Sequence, residues 1–294
     1  MNNNNTPDPI PQSDQLRPIS WQWALALAFV AWFAETLLSM LLRPALLRHG
    51  IQPMAAASVI RVVCYGGMFS FMLHASRMSY RQLFHPSSAS VGATLGLLAV
   101  PILLMTPFIL VLDSATMWLL TQWLPMSTAE SNWLENGLTD GIGSWVLACA
   151  IAPMIEEMFF RGILLRGMLK RYPPADAIVY SAFVFGFAHL NVYQFVIAFL
   201  MGLFAAALYR RTQSLWPGIL LHASLNTGVM IWATLGKEGV GIDPSTGLPP
   251  VWFCAVSAAV GVAGAWMVRR ILWPAIRQAE IAPDADPTLP PSAS

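Results

Sequence analysis

Long apolar runs, separated by short polar stretches, make up most of the chain. A helix that crosses a bilayer needs about 20 mostly apolar residues. Eight runs approach that length, at 21–42, 53–75, 92–112, 143–169, 175–190, 193–210, 214–235 and 251–273. The pattern predicts an all-α fold, a polytopic membrane helix bundle of about eight transmembrane helices with the site inside the bundle. The third run either stops at 112 or continues through DSATMWLLTQWL, and the fifth is the shortest. The expected organisation is a disordered tail over 1–20, N-terminal membrane helices and an outer loop over 21–142, and a catalytic membrane core over 143–235. A last membrane helix over 236–279 and a disordered tail over 280–294 complete it. The first twenty residues have no basic stretch followed by a cleavable apolar one, so they read as a polar tail and not as a signal peptide.

Composition agrees with this setting. The chain is 56% hydrophobic and 11% charged, against roughly 25% charged residues in soluble domains. That excludes an ordinary soluble globule. A net charge of +1 gives no reason to expect a nucleic-acid partner. Cys64, Cys149 and Cys254 fall in separate apolar runs, without paired or metal-type spacing, and read as packed free thiols.

Lysine and arginine gather on the cytoplasmic side of membrane proteins. With the N-terminus inside, eleven of the sixteen fall in inner segments, and three, Arg43, Arg48 and Lys237, in outer ones. Arg61 and Arg161 lie within helices. The expected placement is a multi-pass integral membrane protein with both termini cytoplasmic, in the plasma (inner) membrane of a prokaryote. The connection over 113–142 holds no Lys or Arg but has Asp113, Glu130, Glu135 and Asp140, which suits an outer loop.

Against this background the stretch MIEEMFFRG, residues 154–162, stands out. A charge at the bilayer centre costs at least ~2.5 kcal/mol on insertion scales and marks a functional candidate. Glu157 and Arg161 are four apart with the acid first, the favoured helical pairing. Glu156 points about 100° away and must find a partner elsewhere. His222 and Asn226 share a face of the seventh helix, and Phe185 and His189 a face of the fifth. Three helices can thus direct a carboxylate, two imidazoles and an amide to one point, a set able to activate water and hold an oxyanion. Pro153 removes a helical hydrogen bond, frees the carbonyl of residue 149 and kinks the helix beside Glu156. Glu35 and Arg61 reach similar depth in neighbouring helices and are expected to pair, apart from any catalysis.

In order along the chain, EEMFFR reads as EExxxR, FGFAH as FxxxH and HASLN as HxxxN. This resembles the CPBP family of intramembrane endopeptidases, also called CAAX-type or abortive-infection proteases. The resemblance covers about residues 143–235. It implies that Glu156 is the general base for the attacking water and that His189 orients that water. It further implies that His222 and Asn226 stabilise the oxyanion, with Glu157 and Arg161 as supports. The implied substrate is a membrane-associated protein or peptide, met within the lipid bilayer.

No cofactor is expected. No HExxH helix is present, although a zinc ion held by Glu156, His189 and His222 is the alternative. Serine chemistry lacks a GxSG-like setting, and Asp140 lacks a helical aspartate partner. A proton-carrying transporter would be expected to show inverted repeats, and none is evident. A non-proteolytic binding, immunity or regulatory protein on the same fold remains the competing class. Depth counting leads us to expect a cavity open to the cytoplasmic half, beside the basic loops. The alternative is an outer opening, should the short fifth helix sit high.

Overall fold

The computed structural model describes residues 16–131, 141–237, 243 and 246–272. The expected tail over 280–294, most of that over 1–20, and Glu135 and Asp140 lie outside the described residues. Among the described residues the fold is all-α, and seven helices are long and apolar enough to span a membrane. An eighth apolar helix is shorter.

Helix α1 (Trp21–Arg48) starts where the Ser20 side chain accepts a hydrogen bond from the Trp23 amide, satisfying one free donor of the first turn. Its buried residues are Ala24, Ala28 and Ala31, a stripe of small side chains of the kind that lets membrane helices approach closely. The remaining faces are bulky and outward, with Trp23 and Met40 each 70% exposed. In a bilayer that surface meets lipid. Helix α2 (Pro53–Ala75) returns against α1, and the short α3 (Tyr80–Phe84) follows.

Helix α4 (Val91–Trp123) has 33 residues. At 1.5 Å per residue it is about 50 Å long, well beyond a ~30 Å hydrocarbon core. The third apolar run therefore does continue through DSATMWLLTQWL. Asp113, expected in an outer connection, is instead a helical residue.

Helix α5 (Gly141–Leu169) carries the paired glutamates and is wound as π-helix over Leu147–Ile151 and Met158–Leu165. Helix α6 (Pro174–Phe187) has only 14 residues, or about 21 Å, too short to cross the core. It ends because the chain turns at Ala188 and His189 and then takes φ of 50° at Leu190. Helix α7 (Val192–Thr212) begins at once, its first amides (Tyr193, Gln194) donating to the Asn191 side chain. Helices α8 (Trp216–Lys237) and α9 (Val251–Leu272) complete the bundle, both packed on α4.

One end of the bundle is stitched shut. The Arg166 guanidinium donates to the Gln82 carbonyl at 2.7 Å, and Lys170 Nζ to the Leu16 carbonyl at 2.8 Å. The Ile19 amide donates to the Gly167 carbonyl at 3.0 Å, and the Leu215 amide to that of Phe84 at 2.9 Å. The segment before α1, helix α3, the end of α5 and the α7–α8 turn thus form one floor.

Candidate active site

The site is built on the irregular winding of α5. In an α-helix Pro153, lacking an N–H, would free the carbonyl four residues earlier, at Cys149. The winding over Leu147–Ile151 is π, in which a carbonyl pairs five residues ahead. The freed carbonyl is therefore that of Ala148. Asn226 on α8 fills the gap, its Nδ2 donating to the Ala148 oxygen at 2.7 Å.

Glu157 and Arg161 pair as expected. Arg161 Nη1 is 2.8 Å from Glu157 Oε1, and both side chains are fully buried. A buried charge needs this kind of neutralisation. Arg161 is held on two further sides, its Nη2 donating to the Gly202 carbonyl at 3.2 Å and its guanidinium lying 4.3 Å from the Phe185 ring centre. Glu157 presses against α8 at Gly218. A Cβ there would stand 2.7 Å from Glu157 Oε2, so only glycine fits without displacement.

Glu156 is held more loosely. Its Oε1 lies 3.6 Å from Arg61 Nη1. Its Oε2 is buried, accepts no hydrogen bond, and is 3.8 Å from His222 Nε2. Arg61 Nε in turn donates to Glu35 Oε1 at 2.8 Å. The Glu35–Arg61 pair thus forms as expected, but its expected separation from the site is corrected. The guanidinium of Arg61 has a second side, and the rotation of α2, which depth counting along a sequence does not give, turns that side to Glu156.

His222 lies between the two carboxylates, its Nδ1 3.4 Å from Glu157 Oε1 without forming a hydrogen bond. The Phe185 ring stands nearly perpendicular to both imidazoles, at 5.7 Å from His222 and 5.0 Å from His189 between ring centres. His189 stands in the turn after α6, with Nδ1 3.0 Å from the Phe185 carbonyl. A carbonyl only accepts, so this contact assigns a proton to Nδ1.

A cavity of about 430 Å³ adjoins these groups. His189, His222, Asn226, Phe185 and Ala148 line it, together with Asp113 and apolar residues that include Met117, Trp118, Met201 and Trp232. Glu156 is not among the lining residues but is 21% exposed, with Oε2 3.8 Å from Nε2 of the lining residue His222, while Glu157 and Arg161 lie in the fully buried layer. Asp113 is not among the expected site residues, because its surroundings read as a loop. Phe185 entered only as the partner of His189 on one face, and its contact with Arg161 has no sequence signal.

The cavity is walled by residues 113–121 of α4, the first turn of α7, residues 229–233 of α8 and residues 246–247. These lie at the end of the bundle away from the stitched floor. The expected opening beside the basic loops is thus corrected in favour of the opposite end. The short α6 leaves His189 in a turn facing that end. Among the described residues no three of His, Cys, Asp and Glu stand as a group able to hold a metal ion.

A multi-pass helical membrane protein with a polar, histidine-containing cavity inside the bundle is the class that fold and site define. Residues 139–228, from just before α5 into α8, match the family described as Rce1-like, type II CAAX prenyl endopeptidase. The match takes in every motif residue and bears out the resemblance to the CAAX-type intramembrane proteases, over under a third of the chain. No curated protein and no solved structure matches the chain.

Proposed function

We propose that the protein is an intramembrane endopeptidase, CAAX-protease-like, that hydrolyses a peptide bond of membrane-associated substrates with water activated by Glu156. One observation carries this reading. Each of two adjacent glutamates has an oxygen without a hydrogen bond, but Glu157 is fully buried and tied to Arg161 at 2.8 Å, with that oxygen against Gly218, while Glu156 is 21% exposed and its bare oxygen stands beside His222. A general base needs a free lone pair in a place that keeps it anionic. The Arg61 guanidinium at 3.6 Å supplies the charge without covering that oxygen.

In the proposed reaction Glu156 takes a proton from water, and the hydroxide adds to the scissile carbonyl carbon. His189, with its proton on Nδ1, orients the water through Nε2. The developing oxyanion is met by His222 and Asn226. The Asn226 amide has two N–H bonds. One is committed to the Ala148 carbonyl, which fixes the amide plane and leaves the other for the oxyanion. Collapse breaks the C–N bond, and Glu156 returns its proton to the leaving amine. Glu157 and Arg161 hold His222 from behind, and Arg61 holds Glu156.

We further infer, from the basic residues, that both termini are cytoplasmic and that the protein resides in the inner membrane of a prokaryote. The test compares membrane and secreted fragments from cells making the native chain and Glu156→Gln at equal levels. Fragments that vanish with the variant are expected. An unchanged fragment set would sink the peptidase reading in favour of a binding role. Zinc held by Glu156, His189 and His222 is tested separately. Activity should survive a chelator, and loss restored by zinc would require the metal-dependent form.

A further inference from the structure

We propose that the cavity receives its substrate from the non-cytoplasmic face, and that the substrate is an internal apolar polypeptide segment lying at that face of the membrane. This rests on the peptidase reading and adds to it where the substrate comes from and which part of it is cut.

Three observations lead there. The first is the floor. Hydrogen bonds from Arg166 to the Gln82 carbonyl and from Lys170 to that of Leu16, with two backbone bonds, close the end that holds the basic loops. Arg77, Arg81, Arg210 and Arg211 lie in segments at the same end. Basic loops mark the cytoplasmic side, so the closed end is the cytoplasmic one. The second is the position of the cavity. It reaches inward to His222 and Met201 at mid-bundle, and its outer walls come from the last eleven residues of α4, the start of α7 and the second half of α8, at the other end.

The third is the chemistry of the lining. Among the described residues it has one carboxylate, Asp113, and no lysine or arginine. A peptidase that cuts next to a chain terminus must accommodate the free terminal carboxylate, which calls for a cation or an arginine fork. Here such a group would meet no cation among the described lining residues. The apolar wall of methionine and tryptophan suits apolar side chains. A segment in mid-chain, carrying no charge of its own, fits both features.

The experiment reads access and cleavage separately. Thr121→Cys lines the cavity, and Ser88→Cys lies in the exposed connection before α4. Each is treated with a membrane-impermeant maleimide in intact spheroplasts and in inverted vesicles, with the native chain subtracting any labelling of its own three cysteines. Thr121→Cys should label in spheroplasts, and Ser88→Cys only in inverted vesicles. The reverse pattern overturns the inference. Fragments lost with Glu156→Gln are then mapped. Cut sites inside non-cytoplasmic segments support the proposal. Cut sites a few residues from cytoplasmic C-termini overturn it and leave the peptidase reading standing. A fragment set that Glu156→Gln does not change removes the peptidase reading, and with it the substrate assignment, while the labelling still decides which face opens.

Discussion

Glu157 and Glu156 are joined by one peptide bond, yet one has a guanidinium at 2.8 Å and no exposure, and the other has its nearest guanidinium at 3.6 Å and is 21% exposed. Successive helical residues point about 100° apart. Glu157 therefore meets Gly218 of α8 and, through Arg161, α7, while Glu156 meets α2. The first surroundings pair a charge and wall it in. The second neutralise a charge and leave it reactive. Structural and chemical roles can thus occupy neighbouring positions when different helices cover the two faces.

Four substitutions break or sharpen this contrast. Glu156→Gln should lower the rate of fragment production by about 10²–10⁴-fold, the usual contribution of a positioned base, with unchanged accumulation in the membrane. Its counterpart on the other face is Arg161→Ala, which leaves the Glu157 charge buried and alone, a loss of roughly 3–5 kcal/mol. It should show as low folded yield in detergent extracts, and normal yield with full activity would deny the supporting role. Gly218→Ala drives a methyl into Glu157 Oε2, and overpacking of this kind costs about 1–3 kcal/mol. Thermal unfolding should report it, with activity falling only as the folded fraction falls. Arg61→Gln should slow cleavage by about tenfold, equivalent to ~1.4 kcal/mol of barrier, at near-normal yield. Partial recovery in Arg61→Lys would separate charge placement from packing.

Much of this was legible in the sequence. Spanning helices announce themselves because a bilayer demands long apolar runs, and seven of the eight expected spans are long enough to cross. The Glu157–Arg161 pair was legible because both residues sit on one helix, where spacing sets geometry. The contact between Arg61 and Glu156 was not, since it depends on how far α2 is rotated against α5. Nor was the place of Asp113. The polar residues around it read as a connection, although they cover one face of a continuing helix. The end at which the cavity lies was open only as the alternative, an outer opening with a high fifth helix, because depth counting does not show where α6 stops, and it stops after 14 residues.

The π turn over Leu147–Ile151 bears on how the length of α5 can vary. Such a turn amounts to one residue inserted into an α-helix. Remove Cys149, and Pro153 stands four positions after Ala148 instead of five. An ordinary α-turn would then free the same carbonyl for the same Asn226 amide. A homologue one residue shorter between Gly141 and Pro153 can therefore keep the contact between α5 and α8, and an alignment should place its gap inside this helix and not in the loop before it.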